Sequence, residues 1–397
     1  MPPAKRNPVL DLLRGIAILV VILHHCEECT IPGIPSFSGV SGFVLWRFRF
    51  FGATGVDLFF VLSGFLVGGL LINEIDKYGT IYLSRFLMRR GLKIWPSYFA
   101  LLTVLALTHV ADWPDLSSLW GTVRSLGIHA LFLQNYLDQT HNTPTWTLAV
   151  EEHFYIFLPL LLLVLKRFNA IGRIGHATVA VMLLCLVFRL LHLRFNYHIN
   201  DFMLTHNRLG ALMPGVFLAW AWKHHRDRIV ELTGHRRLIF PVALILIAPS
   251  FFLARGDAFM FAVGFPMLTV GYAMILITLV AQGVGGFEHT RTGRAIRQVG
   301  LWSYNIYLWH FFLPLLLAPA YQPAQLWLSK LVPNPYITLT LQVAFFTVLS
   351  IAAGWFFTRF LEEPVLSLRE KVLPSRTGGI SILGSPLSSA PCPSGGG

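Results

Sequence analysis

The chain has 397 residues, 55% hydrophobic and 13% charged, with a mean hydropathy of +0.62 and a net charge of +12. Soluble domains carry about 25% charged residues, so this composition leaves too little polar surface to cover a water-soluble globule. The positive excess is no sign of nucleic-acid binding, because membrane proteins gather Lys and Arg in short cytoplasmic loops.

Runs of about 17–25 apolar residues suit a hydrocarbon core of roughly 30 Å. Such segments fall at 9–26, 51–72, 94–110, 147–165, 178–195, 209–222, 238–253, 259–281, 302–318 and 337–360. The pattern predicts an all-α polytopic bundle of about ten transmembrane helices in a bacterial-type inner or plasma membrane. Residues 1–365 form the membrane domain, and 366–397 form a cytoplasmic tail rich in Ser, Pro and Gly that is expected to be disordered. No small-residue cleavage site follows the basic start, so the first helix is expected to be retained.

The first segment places Arg14 and His25 on one helix face, because eleven residues make about three full turns. Arg14 then sits in the inner half and His25 near the outer end, about 16 Å away. Snorkelling is an alternative for Arg14, and an interfacial position is one for His25. The run from His24 to Cys29 looks metal-like but lacks a second ligand pair. A Cys26–Cys29 disulfide or two free thiols fit it better, and no metal is expected. The second segment buries Asp57 among aromatic residues. A carboxylate beside an imidazole orients it as a base; a structural Asp57 that caps the helix or pairs with Arg14 is the alternative.

Between the second and third segments Arg85, Arg89, Arg90 and Lys93 stand together. Membrane topology explains many such clusters, yet Arg forks and Lys charges also suit a phosphate-rich ligand. Segment 123–137 is apolar but short, and Arg124 and His129 interrupt it; it is expected to be re-entrant or interfacial. The fourth span opens with Trp146, and Glu151, Glu152 and His153 lie directly before an apolar run. Dipole stabilisation at a helix start would explain the acids without chemistry. His310 falls near mid-membrane, where a packed, hydrogen-bonded His is the plain reading. With Lys5 and Arg6 inside, every second loop is the basic one, which places both termini in the cytoplasm. Charged groups within membrane helices mark functional sites by default, and a transporter or exporter of a glycan or anionic metabolite would explain them as well as an enzyme.

Taken together these residues resemble the membrane-bound acyltransferase family 3, from about Leu10 to Pro364. Arg14 and His25 match its Arg-x10-His motif, and Gly55 to Phe65 matches its Gly-Val-Asp-Leu-Phe-Phe-Val-Leu-Ser-Gly-Phe signature. Arg89 to Pro96 is similar to its Arg-Arg-x-x-Arg-Ile-x-Pro loop, with Lys93 replacing Arg. Trp146 to Tyr155 resembles Trp-Ser-Leu-Ser-Val-Glu-x-x-Phe-Tyr, and Ser303 to His310 and Glu362 to Pro364 resemble its closing motifs. Arg208 stands in a segment like its Arg-Leu-Asp, with Gly210 in place of the acid. Many members append a soluble hydrolase-like domain, which a tail of this length is not expected to form.

The resemblance implies transfer of an acyl group, usually acetyl from acetyl-CoA, to a carbohydrate or glycolipid hydroxyl. His25 is then the expected general base, with Asp57 or Glu151 orienting it. Arg14, Arg85, Arg89, Arg90 and Lys93 would hold the donor's phosphates, and Trp146, Glu152 and His310 would contact the acceptor.

Overall fold

The computed structural model describes residues 7–26, 47–48, 50–108, 119–137, 144–195, 199–332 and 334–374. Helix α1 spans Pro8–His25, α2 Gly55–Tyr78, α3 Leu83–Thr108 and α4 Leu119–Ala130. Helices α5, Trp146–Arg167, and α6, Ile174–Phe195, follow. After irregular turns come α7, Met213–His224, α8, Arg226–Gly234, and α9, Arg236–Ile247. The chain closes with α10, Phe265–Gln282, α11, Arg291–Trp309, α12, Ala318–Leu331, α13, Pro335–Phe357, and α14, Glu363–Val372.

Local chemistry sets several boundaries. Asn7 caps α1 by accepting from the Val9 amide at 2.8 Å, with Pro8 at the first turn, where a missing N–H costs nothing. Gly79 ends α2 at a φ of 68°, its amide bonded to the Ile75 carbonyl, a conformation glycine adopts without strain.

Among the described residues, seven helical stretches are long and apolar enough to cross a membrane: Pro8–His25, Phe50–Tyr78, Leu83–Thr108, Trp146–Arg167, Ile171–Phe195, Met260–Gln282 and Tyr336–Val372. The pair Arg226–Gly234 and Arg236–Phe252, bent by 87°, makes an eighth if it is one span. The expected segments at 209–222 and 302–318 do not meet this measure. Helix α7 has 12 residues, about 18 Å at 1.5 Å each, and follows short turns at Thr205–Arg208 and Leu209–Ala211. Helix α11 begins with Arg291, Arg294 and Arg297. It stops at Trp309, and the chain resumes as Leu313–Leu316 and α12. The figure of about ten crossings is therefore not reached by length and composition among the described residues. Segment 123–137 holds α4, also 12 residues and too short to cross.

The disordered tail expected from residue 366 is corrected over its first residues, because α14 continues to Val372 and packs back on α3; residues 375–397 lie outside the described ones. A π turn at Thr358–Glu362 separates α13 from α14. Such a turn inserts an extra residue and re-aims side chains.

The core is built on close backbone contacts. A Cβ on Gly15 of α1 would lie 2.1 Å from the Ile296 carbonyl of α11, and one on Gly64 of α2 would lie 2.0 Å from the Leu212 carbonyl. Small residues at helix crossings are how membrane bundles gain packing energy where lipid is as apolar as Leu. Helices α6 and α13 sit at the rim, for only 28% of each apolar window is buried. Their exposed faces carry Leu183, Val187 and Leu190, and Leu341, Phe345 and Val348. Continuous apolar faces of this kind, on helices whose backbones are satisfied internally, are faces for lipid. The protein is an integral membrane protein.

Candidate active site

A cavity of about 140 Å³ opens among α1, α2, α3, α5 and α11. Its charged walls are Arg14, Arg90, Lys93, Glu151 and Glu362, and Phe59, Phe60, Leu66 and Leu148 are among its apolar ones. Each charge arrives for a local reason. Arg14 comes from α1, one residue before the Gly15 that packs on α11. Arg90 and Lys93, three apart on α3, share one helix face. Glu362 is turned inward by the π turn and accepts from Asn305 Nδ2 at 2.7 Å, while Asn305 also donates to Thr358 at 3.0 Å. Glu151 accepts from the Tyr155 hydroxyl at 3.1 Å, one turn along α5, and the Ser63 hydroxyl lies 3.5 Å from that of Tyr155. Arg90 stacks over Phe86 and Tyr155, 5.7 and 5.6 Å from their ring centres.

His25 does not line the cavity. Its Nδ1 is 3.1 Å from the Val21 carbonyl and 3.2 Å from His310 Nε2. His310 is completely buried, and its Nδ1 lies 2.7 and 3.1 Å from the Tyr307 and Ile306 carbonyls. Tyr307 links the two regions, for it lines the cavity and its ring centre is 5.8 Å from that of His310. Its hydroxyl accepts from Thr147 and donates to the Pro144 carbonyl, both at 2.8 Å.

The sequence-derived set thus divides. Arg14, Arg90, Lys93 and Glu151 come together around the cavity. Arg85 and Arg89 are engaged elsewhere: Arg85 donates to the Pro374 carbonyl and Arg89 to that of Leu373. Arg89 also forms a 2.8 Å ion pair with Glu370 of α14. Asp57 does not orient His25. Its carboxylate pairs with Arg208 at 2.6 Å, with both side chains only 3% exposed. The anticipated alternative partner, Arg14, is not in that pair. Arg208 is further enclosed by Phe265, Phe60 and Trp146, at 4.5, 5.4 and 5.5 Å from their ring centres. Trp146 is therefore packed against Phe60, Phe202 and Arg208. Glu152 is buried, and His153 Nδ1 meets the Thr205 hydroxyl at 2.8 Å. The metal-like run continues past Cys26 into residues outside the described ones, so the Cys26–Cys29 disulfide lies there too. Among the described residues no group of three or more His, Cys, Asp or Glu is placed to hold a metal ion.

Sequence reasoning missed Tyr307 and Tyr155 as polar cavity walls, and it missed Asn305 as the anchor of Glu362. The i to i+4 spacing of Glu151 and Tyr155 was a readable signal for one of these contacts. The others join distant helices.

The sequence matches a known family. A family model described as an acyltransferase domain covers residues 7–359. The chain belongs to this acyltransferase family. O-acetylation is the activity that its relatives' names carry. A protein of Staphylococcus aureus strain COL is 27% identical over 342 residues, which is 77% of this chain and 50% of that protein. The peptidoglycan O-acetyltransferase OatA of Listeria monocytogenes is 24% identical over 382 residues, 91% of this chain and 56% of its own length. The O-acetyltransferase OatA of Staphylococcus aureus strain NCTC 8325 is 24% identical over 322 residues, 77% of this chain and 50% of its own. The chain spans about half the length of these curated relatives. No solved structure matches it.

Proposed function

We propose that this acyltransferase moves an acetyl group from acyl-CoA, bound at the cytoplasmic end, to a hydroxyl of a carbohydrate or glycolipid acceptor at the outer end. Both termini then lie in the cytoplasm, beside the basic ends of α3 and α11. The observation that carries this reading is the small cavity in which the cations Arg14, Arg90 and Lys93 stand beside the apolar walls Phe59, Phe60, Leu66 and Leu148. About 150 Å³ accommodates a molecule the size of benzene, so the chamber suits a short acyl thioester, and the nucleotide part of the donor rests toward the basic rim. Arg90 and Lys93 offer charge-assisted hydrogen bonds to its phosphates.

In the reaction His25 Nε2 takes the proton of the acceptor hydroxyl, and the oxygen attacks the thioester carbonyl. The new C–O bond forms as the C–S bond breaks, and the thiolate leaves with the electron pair of that bond. The imidazolium then returns the proton to the thiolate, which departs as the free thiol. Holding donor and acceptor in a reactive geometry contributes to the acceleration. Tyr307 stands between the cavity and the His pair, where its displacement would let the acyl carbon meet the acceptor. Peptidoglycan is one acceptor class to test, since one relative is named for it.

Sidedness tests the reading. Protein in proteoliposomes, with a soluble glycan acceptor trapped inside, receives radiolabelled acetyl-CoA outside. Label on the trapped acceptor, from molecules whose basic end faces outward, supports the proposal. Label only on an acceptor added to the same side as the donor contradicts it.

A further inference from the structure

His25 and His310 stand 285 residues apart in the chain, yet their rings meet at 4.9 Å between centres and 67° between planes. The protons on this pair follow from what surrounds it. A carbonyl oxygen has no proton to give, so a ring nitrogen that faces one carries the hydrogen. His310 Nδ1 faces the carbonyls of Tyr307 and Ile306 at 2.7 and 3.1 Å. It is therefore the N–H nitrogen of a neutral ring, and Nε2 holds a lone pair. His25 Nδ1 faces the Val21 carbonyl at 3.1 Å and is an N–H nitrogen too. That hydrogen lies between two acceptors, since His310 Nε2 is 3.2 Å away. His25 Nε2 is left as the basic lone pair.

We infer that His310 is a positioning residue for the transfer reaction, acting through His25; the inference rests on His25 being the base proposed above. His310 holds the imidazole at one ring angle with Nε2 presented for proton transfer. When Nε2 takes the acceptor's proton, Nδ1–H becomes a stronger donor, and the bond to His310 strengthens with the developing charge. A carboxylate fills this place in the Ser-His-Asp arrangement. A neutral imidazole stabilises the imidazolium less, so the proton is released more readily to the departing thiolate. Complete burial of His310 and its two carbonyl partners fix its ring in turn.

Two amide substitutions separate this role from simple packing. In His310→Asn the side-chain NH2 can still donate to the carbonyls, but nothing reaches His25. In His310→Gln the amide oxygen extends to where Nε2 stood and can accept from His25. Each is compared with the natural protein in nanodiscs by steady-state transfer and by proton–nitrogen NMR of histidine-labelled protein, with the His25 signal assigned by its loss in His25→Ala. The expected result is a fall in kcat of about 10–100-fold for His310→Asn, the scale of one hydrogen bond to a charged group, with KM for the donor nearly unchanged. The Nδ1–H resonance of His25 should move upfield in that variant. His310→Gln should recover most of both. An Asn variant with natural kcat, or a folded Gln variant as impaired as Asn, overturns the inference. If no variant transfers acyl groups because the proposed reaction is wrong, the resonance still reports the bond, and an unmoved signal in His310→Asn overturns it independently.

Discussion

Substituting Asn for Asp57 keeps the shape of the side chain and removes the charge that Arg208 meets at 2.6 Å. The two side chains are 3% exposed each, and the guanidinium is walled by Phe265, Phe60 and Trp146, so water cannot take over the lost contact. Removing one partner of a buried pair costs about 3–5 kcal/mol because the other charge stays behind. Against a total stability of about 5–15 kcal/mol, that is a fifth or more. Thermal unfolding in nanodiscs should therefore show a large drop for Asp57→Asn and for Arg208→Met. The double variant should regain most of it, since Met keeps the aliphatic packing and no unpaired charge remains. Transfer activity should return with stability in the double variant. A stable single variant would refute the reasoning. A stable but inactive double variant would refute it from the other side, by showing that the carboxylate takes part in the chemistry.

Other outcomes follow from the same geometry. Glu151→Gln, which weakens the bond from Tyr155 on the cavity wall, should lower kcat by about tenfold or more, the scale of one charge-assisted hydrogen bond; initial rates beside donor-binding measurements check it. Arg90→Ala should raise KM for acyl-CoA by about tenfold or more on the same scale. Arg89→Ala should change KM little and instead release α14, seen as faster proteolysis near Leu373. Gly64→Ala forces a methyl group against the Leu212 carbonyl and should destabilise the bundle by about 1–3 kcal/mol, read as a lower unfolding midpoint.

Much of this was legible in the sequence, because bilayer thickness converts directly into apolar run length. The segments at 9–26 and 259–281 nearly coincide with the spans Pro8–His25 and Met260–Gln282. Segments 209–222 and 302–318 are not single long helices, because apolar composition does not report breaks such as the turns before α7 and the interruption at His310. The residue types of the site were readable, as was the shared face of Arg90 and Lys93. The partners were not. Asp57 meets Arg208 across 151 positions and His25 meets His310 across 285. Such pairs depend on how each helix is rotated against its neighbours, and the periodicity of a single helix leaves that open. The Arg cluster carried the same ambiguity: its spacing was plain, but that Glu370 and the Leu373 and Pro374 carbonyls occupy Arg89 and Arg85 could not be read from the loop.

The central claim, acyl transfer with His25 as base, is tested most directly by incubating purified protein in nanodiscs with radiolabelled acetyl-CoA and a panel of glycan acceptors, beside His25→Ala. The account predicts label on at least one acceptor, and a loss of about 10²–10⁴-fold in rate in a variant that stays folded and still binds acetyl-CoA. Transfer at the natural rate by His25→Ala, or an absence of acetyl-CoA binding by the natural protein, would contradict it.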